Sequence, residues 1–356
     1  MQIDDLKYYC CPITQQNLSI KIIKTTKKVY NNVEKEIVEE GILESGICFY
    51  PIIKGIPRLI VEAVYDYENF LNEHLNDFDE RKNKLLKEFK IVIDKANKKN
   101  YKTKKSFEQE WKFFNYEKDS TWNANPTEMF DRFLLETNET KEQLNNKIIL
   151  DVGCGNGLLN NLIANCKATI IGFDFSLSIE KAFERNTNKN AIFVQADVQF
   201  PPFKNSVFDI VHASGILIHT NNTAYSFSCI VPLVKPLGKL SIWVYHPRKN
   251  FIHNTFNFIR KLIKPFPFFI QFFFCAIFIF PTSFIIKKIK GNQQNWREMM
   301  IDILDWMTPE FRWEHSHDEV ISWFEKFGFS KIKITTNEVF GFNTIGIKEK
   351  VTSKTT

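Results

Sequence analysis

The chain has 356 residues, 44% of them apolar and 25% charged, with a net charge of +6 at neutral pH. The length allows one large domain or two to three smaller ones, and the composition excludes a disordered or fibrous chain. Lys and Glu are mixed throughout, so no basic stripe marks nucleic acid as a partner.

Seven cysteines, odd in number and scattered, read as thiols in a reducing cytoplasm rather than a disulfide framework. Met1–Tyr9 carries Asp4 and Asp5 and lacks the apolar core of a signal peptide. Residues 1–62 form the first unit, a small β-rich module. Its alternating runs Leu18–Ile23, Val33–Glu39 and Gly41–Phe49 are separated by polar turns. It closes with Tyr50-Pro51-Ile52-Ile53-Lys54-Gly55-Ile56-Pro57-Arg58-Leu59-Ile60 and opens near Cys11-Pro12-Ile13. These two stretches resemble the Trm112-like family of zinc-ribbon-type domains. Thr14 stands where that pattern has its second cysteine, and only Cys48 remains of the later pair. Tetrahedral zinc needs four N/S ligands, so a degenerate, metal-free module is expected and no metal site is assigned.

Residues 63–145 read as a helical linker and N-terminal cap. Tyr65–Leu75 and Lys82–Ala96 have apolar residues at helical spacing, and Asn97–Lys105 reads as a charged linker. An aromatic-rich stretch follows, with Phe107, Trp111, Phe113, Phe114, Tyr116 and Trp122.

From Asn146 strands alternate with helices. Lys147–Val152, Ala168–Phe173, Ala191–Ala196, Phe208–Ala213 and Lys239–Tyr245 read as strands; Leu158–Asn165, Ser178–Arg185 and Ala224–Val234 read as helices. This predicts an α/β core over 146–247 with a parallel sheet covered on both faces. Residues 248–307 interrupt it. Residues 308–350 complete it with a helix at Ser316–Phe327, with Ser316 as cap and Glu319 at the capping-box position, and a hairpin of Ser330–Thr336 and Asn343–Lys348.

Ile148-Ile149-Leu150-Asp151-Val152-Gly153-Cys154-Gly155-Asn156-Gly157 is a buried strand running into a glycine-rich turn that brings backbone N–H groups close to a ligand. The dinucleotide fingerprint would have a third glycine where Leu158 stands, which disfavours NAD. Asp174 ends the second strand, where a carboxylate accepts from ribose hydroxyls. Phe193-Val194-Gln195-Ala196-Asp197-Val198 puts another at the end of the third. Phe208–Val211, then Ser214–Thr220, and Val234-Lys235-Pro236-Leu237-Gly238-Lys239-Leu240 follow in order, with Leu237 replacing a glycine. This series resembles the class I S-adenosylmethionine-dependent methyltransferases (the type 11, UbiE-like group). The resemblance implies a Rossmann-like sheet of seven strands, mostly parallel with one antiparallel, and S-adenosyl-L-methionine as cofactor. It also implies a cofactor site of Asp151, Gly153, Gly155, Gly157, Asp174, Phe175, Ser176, Asp197, Val198 and Ser214. Asp209 is expected to orient its strand, and Cys154 to be a packing residue.

Methyl transfer needs the acceptor aligned to about 3 Å and, for a hydroxyl or acidic carbon, a base. His219, just past the fourth strand, is the catalytic candidate. Ala213-Ser214-Gly215-Ile216 stands where amino-group methyltransferases carry their Asn/Asp-Pro-Pro-Tyr motif, which favours oxygen or carbon acceptors. The alternative is a non-catalytic S-adenosylmethionine-binding partner or regulatory protein.

Phe266–Ile286 has 21 residues without a charge, flanked by Lys261, Lys264, Lys287, Lys288 and Lys290. It is long enough to cross a membrane, but it falls between strands of one sheet and contains Pro267 and Pro281. It is expected to be a helical lid over the acceptor pocket or an element pressed into a membrane surface. Both readings imply a small, hydrophobic or lipid-linked acceptor.

Overall fold

Short β-branched runs joined by two-residue turns begin the chain. The structure is a computed structural model that describes residues 1–113, 125–248, 251–289 and 291–350. Strands β1 (Ser19–Tyr30) and β2 (Val33–Ser45) pair antiparallel across Asn31 and Asn32, both at positive φ. That backbone matches the twist of a tight hairpin, and Asn tolerates it. β3 (Cys48–Ile53) and β4 (Ile56–Leu59) turn likewise at Lys54-Gly55.

Helices α1 (Ala63–Asp66), α2 (Glu68–His74) and α3 (Phe78–Phe113) follow. The expected charged linker 97–105 is helical, because no Gly or Pro interrupts 78–113 and the side chains of Lys99, Asn100 and Lys104 find buried partners. Of the aromatic stretch, Phe114, Tyr116 and Trp122, and the side chains of Phe107, Trp111 and Phe113, lie outside the described residues. α4 (Pro126–Thr137) starts on a reciprocal cap. Asn125 Oδ1 accepts from the Glu128 N–H, and Glu128 Oε2 accepts from the Asn125 N–H, each at 2.9 Å.

The core then alternates: β5 (Ile148–Val152), α5 (Leu158–Asn165), β6 (Thr169–Asp174), α6 (Ser178–Glu184), β7 (Ala191–Ala196), β8 (Phe208–Ser214), α7 (Thr223–Ile230) and β9 (Val234–Tyr245). Next come α8 (Phe251–Ile263), α9 (Phe268–Phe274), a π-helical turn at Cys275–Ile279, α10 (Phe280–Ile289) and α11 (Trp296–Met307). α12 (His317–Lys326) and the hairpin β10 (Phe329–Asn337) and β11 (Gly341–Lys348) end the fold. Ser316 Oγ caps α12 by accepting from the Glu319 N–H at 3.2 Å. The Glu319 carboxylate is spent elsewhere, 2.9 Å from His315 Nδ1.

All strands join one sheet in the order β1-β2-β3-β4-β7-β6-β5-β8-β9-β11-β10. β4 to β9 run parallel, and β11 lies antiparallel to β9. The core contributes seven strands, β5 to β11, and the N-terminal module adds β1 to β4, so that one sheet holds eleven. The N-terminal module is an extension of its edge rather than a separate body. The joint is β4 on β7, pairing Arg58 with Gln195 and Leu59 with Ala196. There the Arg58 guanidinium is fully buried, 2.7 Å from Glu180 Oε1 and 3.4 Å from Gln195 Oε1. A buried guanidinium without such partners would be costly, so the contact fixes the register of the joint.

Helices α8 to α11 share their own small core, including Ile263, Cys275, Ile279, Ile301 and Leu304. Their outer face carries exposed Phe269, Phe273, Ile277, Phe278, Ile285 and Ile286. Phe268–Ile289 is long and apolar enough to cross a membrane, yet it sits as two helices and a π-turn on the end of the sheet.

Candidate cofactor and active site

β5 is the strand where the order reverses, with β6 on one side and β8 on the other. Open parallel sheets bind ligands beyond the strand ends at such a point. A cavity of about 250 Å³ lies there, lined by Gly153, Gly155, Asp174, Phe175, Ser176, Asp197, Val198 and His219, and by Lys99, Asn100, Ile216, Thr220, Asn221 and Phe311.

The glycine turn is built for close approach. Gly153 has φ +75°, and a Cβ there would lie 2.4 Å from Ile216. Gly155, at φ +54°, donates its N–H to Asp174 Oδ2 at 3.1 Å. Asp174 Oδ1 accepts from the N–H and hydroxyl of Ser176, both at 2.8 Å. Burial pushes the Asp174 carboxyl up, against the pull of these donors. Asp197 Oδ1 accepts from the Gln199 N–H at 2.9 Å, while Oδ2 takes Lys99 Nζ at 2.7 Å and Asn100 Nδ2 at 2.9 Å. Burial would raise this carboxyl too, but Lys99 and the other donors outweigh it and hold it below its usual range.

Three sequence candidates do not line the cavity. Gly157 begins α5, and a Cβ there would strike Ala182 and Phe193 at 2.8 Å, so it serves helix–strand packing. Asp151 lies beneath the turn with its Oδ1 3.4 Å from His212 Nδ1. Ser214 Oγ donates to Glu136 Oε1 at 3.3 Å. These two belong to a buried polar network. His212 Nε2 is 2.7 Å from Glu136 Oε2, and Arg132 Nε donates to Glu136 Oε1 at 2.7 Å. Burial opposes the charge on His212, but Asp151 and Glu136 overcome it and push the imidazole up to about 9.

His219 faces the cavity. Its Nδ1–H donates to the Phe311 carbonyl at 2.9 Å, which leaves Nε2 as the acceptor. Burial, with Arg312 and Arg260 nearby, pulls it down to about 4, so it is neutral at pH 7. Asp209 is structural. It accepts from the Ile148 N–H at 2.8 Å and pairs with Lys235 at 2.9 Å. Cys154 is packed and its thiol is pushed far up by burial, so it is no nucleophile.

Sequence reading missed Lys99 and Asn100, which reach the cavity only because α3 continues through the presumed linker. The signal was present as an unbroken helical stretch without Gly or Pro. Phe311 and Asn221 carry no local signal; the turns around α11 and α7 bring them in.

The donors and acceptors fit S-adenosylmethionine. The glycine turn lines the cavity with backbone alone at Gly153 and Gly155, Asp174 offers an acceptor for a diol, and Asp197 an acceptor beside apolar Val198. Among the described residues no group of three or more His, Cys, Asp or Glu is suited to a metal.

Residues 150–242 match the family model for a methyltransferase domain. The chain is 30% identical over 125 residues to an uncharacterized methyltransferase of Mycobacterium bovis, covering 35% of this chain and 60% of that one. It is 28% identical over 118 residues to a ubiquinone biosynthesis O-methyltransferase of Coxiella burnetii, covering 32% and 50%. The matches thus span three fifths or less of these relatives. A structural alignment with magnesium protoporphyrin IX methyltransferase from Synechocystis covers 72% of this chain and 100% of that one, at 14% identity and a TM-score of 0.42.

Proposed function

We propose that the chain is an S-adenosylmethionine-dependent methyltransferase acting on an oxygen or carbon of a small, hydrophobic acceptor. The observation that carries this reading is the convergence of the Gly153–Gly155 turn, Asp174 and Asp197 on one cavity at the reversal point of a parallel sheet. When bound, S-adenosylmethionine supplies a methyl group already activated on a sulfonium. The chain's own part is positioning: Asp174 holds a ribose diol, Asp197 an adenine amino group, and the glycine turn admits the amino-acid end. Asp151 acts from below, held by His212. His219 Nε2 accepts a hydrogen bond from the acceptor, and its low basicity limits it to taking a proton from an acidic one.

Calorimetric titration of the full chain tests this. S-adenosylmethionine should bind one per chain, and Asp174→Ala should weaken it at least tenfold. Binding of NAD without S-adenosylmethionine sinks the reading. Binding with no S-adenosylhomocysteine released across a panel of hydrophobic phenols and acids favours the non-catalytic alternative.

The exposed apolar face of α9 and α10, flanked in the sequence by the exposed Lys261 and Lys288, supports peripheral contact with an anionic membrane. Absence of co-sedimentation with phosphatidylserine vesicles would remove that part. All seven cysteines are free, which suits a cytoplasmic setting. For residues 1–62 we propose a Trm112-like module that has kept its Cys11 and Cys48 as packed thiols and serves as the sheet's edge.

A further inference from the structure

A second cavity, of about 330 Å³, lies between the α8–α11 unit and the end of the sheet. Phe256, Ile279, Ile303 and Trp306 give it apolar walls. Ile279 ends the π-helical turn, a distortion that tends to occur where a helix serves a site rather than only packs. Two polar features stand out against these walls. The Trp306 indole N–H is buried and has no acceptor among the described residues. Buried donors are nearly always satisfied, so an oxygen-bearing ligand is the natural complement. Arg248 also lines the cavity, its guanidinium 5.0 Å from the Phe340 ring centre and with no carboxylate partner among the described residues. The other basic side chains there have acidic partners: Lys287 pairs with Asp302 at 2.9 Å, and His253 Nε2 lies 2.7 Å from Glu314 Oε1. The excess charge of the cavity is therefore positive and sits on Arg248.

We propose that this cavity binds a single-chain anionic amphiphile, a hydrocarbon chain ending in a carboxylate or phosphate. The chain lies along the apolar walls, and the anionic oxygens meet Arg248 and the Trp306 N–H. α10, which gives Ser283 and Lys287 to the cavity, also carries the exposed Ile285 and Ile286, so such a molecule enters over an apolar surface. Only one layer of side chains separates this cavity from the cofactor's. Tyr245 lines the second cavity, and its ring centre is 6.1 Å from that of His219, which lines the first. The bound amphiphile is the methyl acceptor or its lipid carrier; that role rests on the methyltransferase reading, whereas the binding does not.

The test is titration of the full chain with dodecyl phosphate, dodecanoate, dodecyltrimethylammonium and inorganic phosphate, all below micelle concentrations, read by calorimetry. The two anionic chains should bind saturably at one per chain, at least tenfold more tightly than the cationic chain or inorganic phosphate. Arg248→Gln should cost about tenfold for both, and Ile303→Trp, which fills the cavity, should abolish binding. S-adenosylmethionine affinity should be unchanged in Arg248→Gln, which keeps the result readable if Ile303→Trp fails to fold. Equal affinity for the cationic chain, or full affinity in Arg248→Gln, overturns the proposal. Amphiphile binding in a protein that never binds S-adenosylmethionine leaves this site standing and removes the methyltransferase reading.

Discussion

His219 shows how one residue's setting overrides its ordinary chemistry. A free imidazole titrates near 6.5; buried here, it titrates at about 4. The folded chain therefore binds fewer protons at this group than the unfolded chain. The stability involved is present above 6.5 and is lost as pH falls towards 4. In turnover, the acid limb assigned to His219 should lie near pH 4–5 rather than 6.5, and His219→Gln should flatten it while lowering kcat; a limb that stays at 6.5 in the native chain would refute the assignment. Leu237 is a second local departure. It stands where the resembling family has glycine, and its φ is +65° with the side chain 60% exposed. A left-handed non-glycine residue costs about 1–2 kcal/mol, partly offset by glycine's unfolded-state freedom. Leu237→Gly should therefore stabilise the fold by about 0.5–1 kcal/mol, seen as a higher Tm. The turn, Asp174 and Asp197 were legible because strand ends and glycines are local signals. That Asp151 and Ser214 point into a network rather than the cavity depends on His212 and Glu136, which lie 61 and 78 positions from them in the chain, and no local pattern encodes that.

Among the elements, α3 is the one whose length the sequence masked with charge. A run such as Lys98-Lys99-Asn100 reads as solvated, yet Lys99 and Asn100 close over Asp197. In the proposed binding mode an adenine amino group would have to share Asp197 with Lys99, which already holds its Oδ2. Lys99→Met should lower the Tm of the free protein, because Asp197 loses a charged partner. It should also tighten S-adenosylmethionine binding roughly tenfold, about the 1.5 kcal/mol of one charge-assisted hydrogen bond. Weaker binding in this variant would mean that Lys99 holds the ligand instead. α4 and β8 are coupled through His212, whose imidazolium sits between Glu136 and Asp151. Its raised value means that its contribution is full below 6.5 and is lost as pH rises through about 9. His212→Gln should cost about 3 kcal/mol near neutrality, because it leaves buried carboxylates uncompensated. Urea melts should show that difference shrinking above pH 9.

At the scale of the whole molecule, alternating strands and helices made the α/β class legible, but not that the strands of residues 1–62 and those of the core form one sheet. Residues 1–62 read as a self-contained module because hairpins are local, whereas the parallel joint between β4 and β7 has no sequence signature of its own. A chain begun at Glu62 would bare the β7 edge, a row of unpaired N–H and C=O groups. It should aggregate, as measured by light scattering; a soluble, monomeric product would show the edge is dispensable. The same joint bears on biosynthesis. Arg58 waits for Gln195, 137 positions later, and at about 5–20 residues per second the ribosome takes roughly 7–27 s to deliver it. Through that interval β4 has emerged without its neighbour and an apolar hairpin pair is finished but unseated. The nascent chain thus carries a period of vulnerability set by topology, in which a chaperone that shields strand edges decides the yield of folded protein.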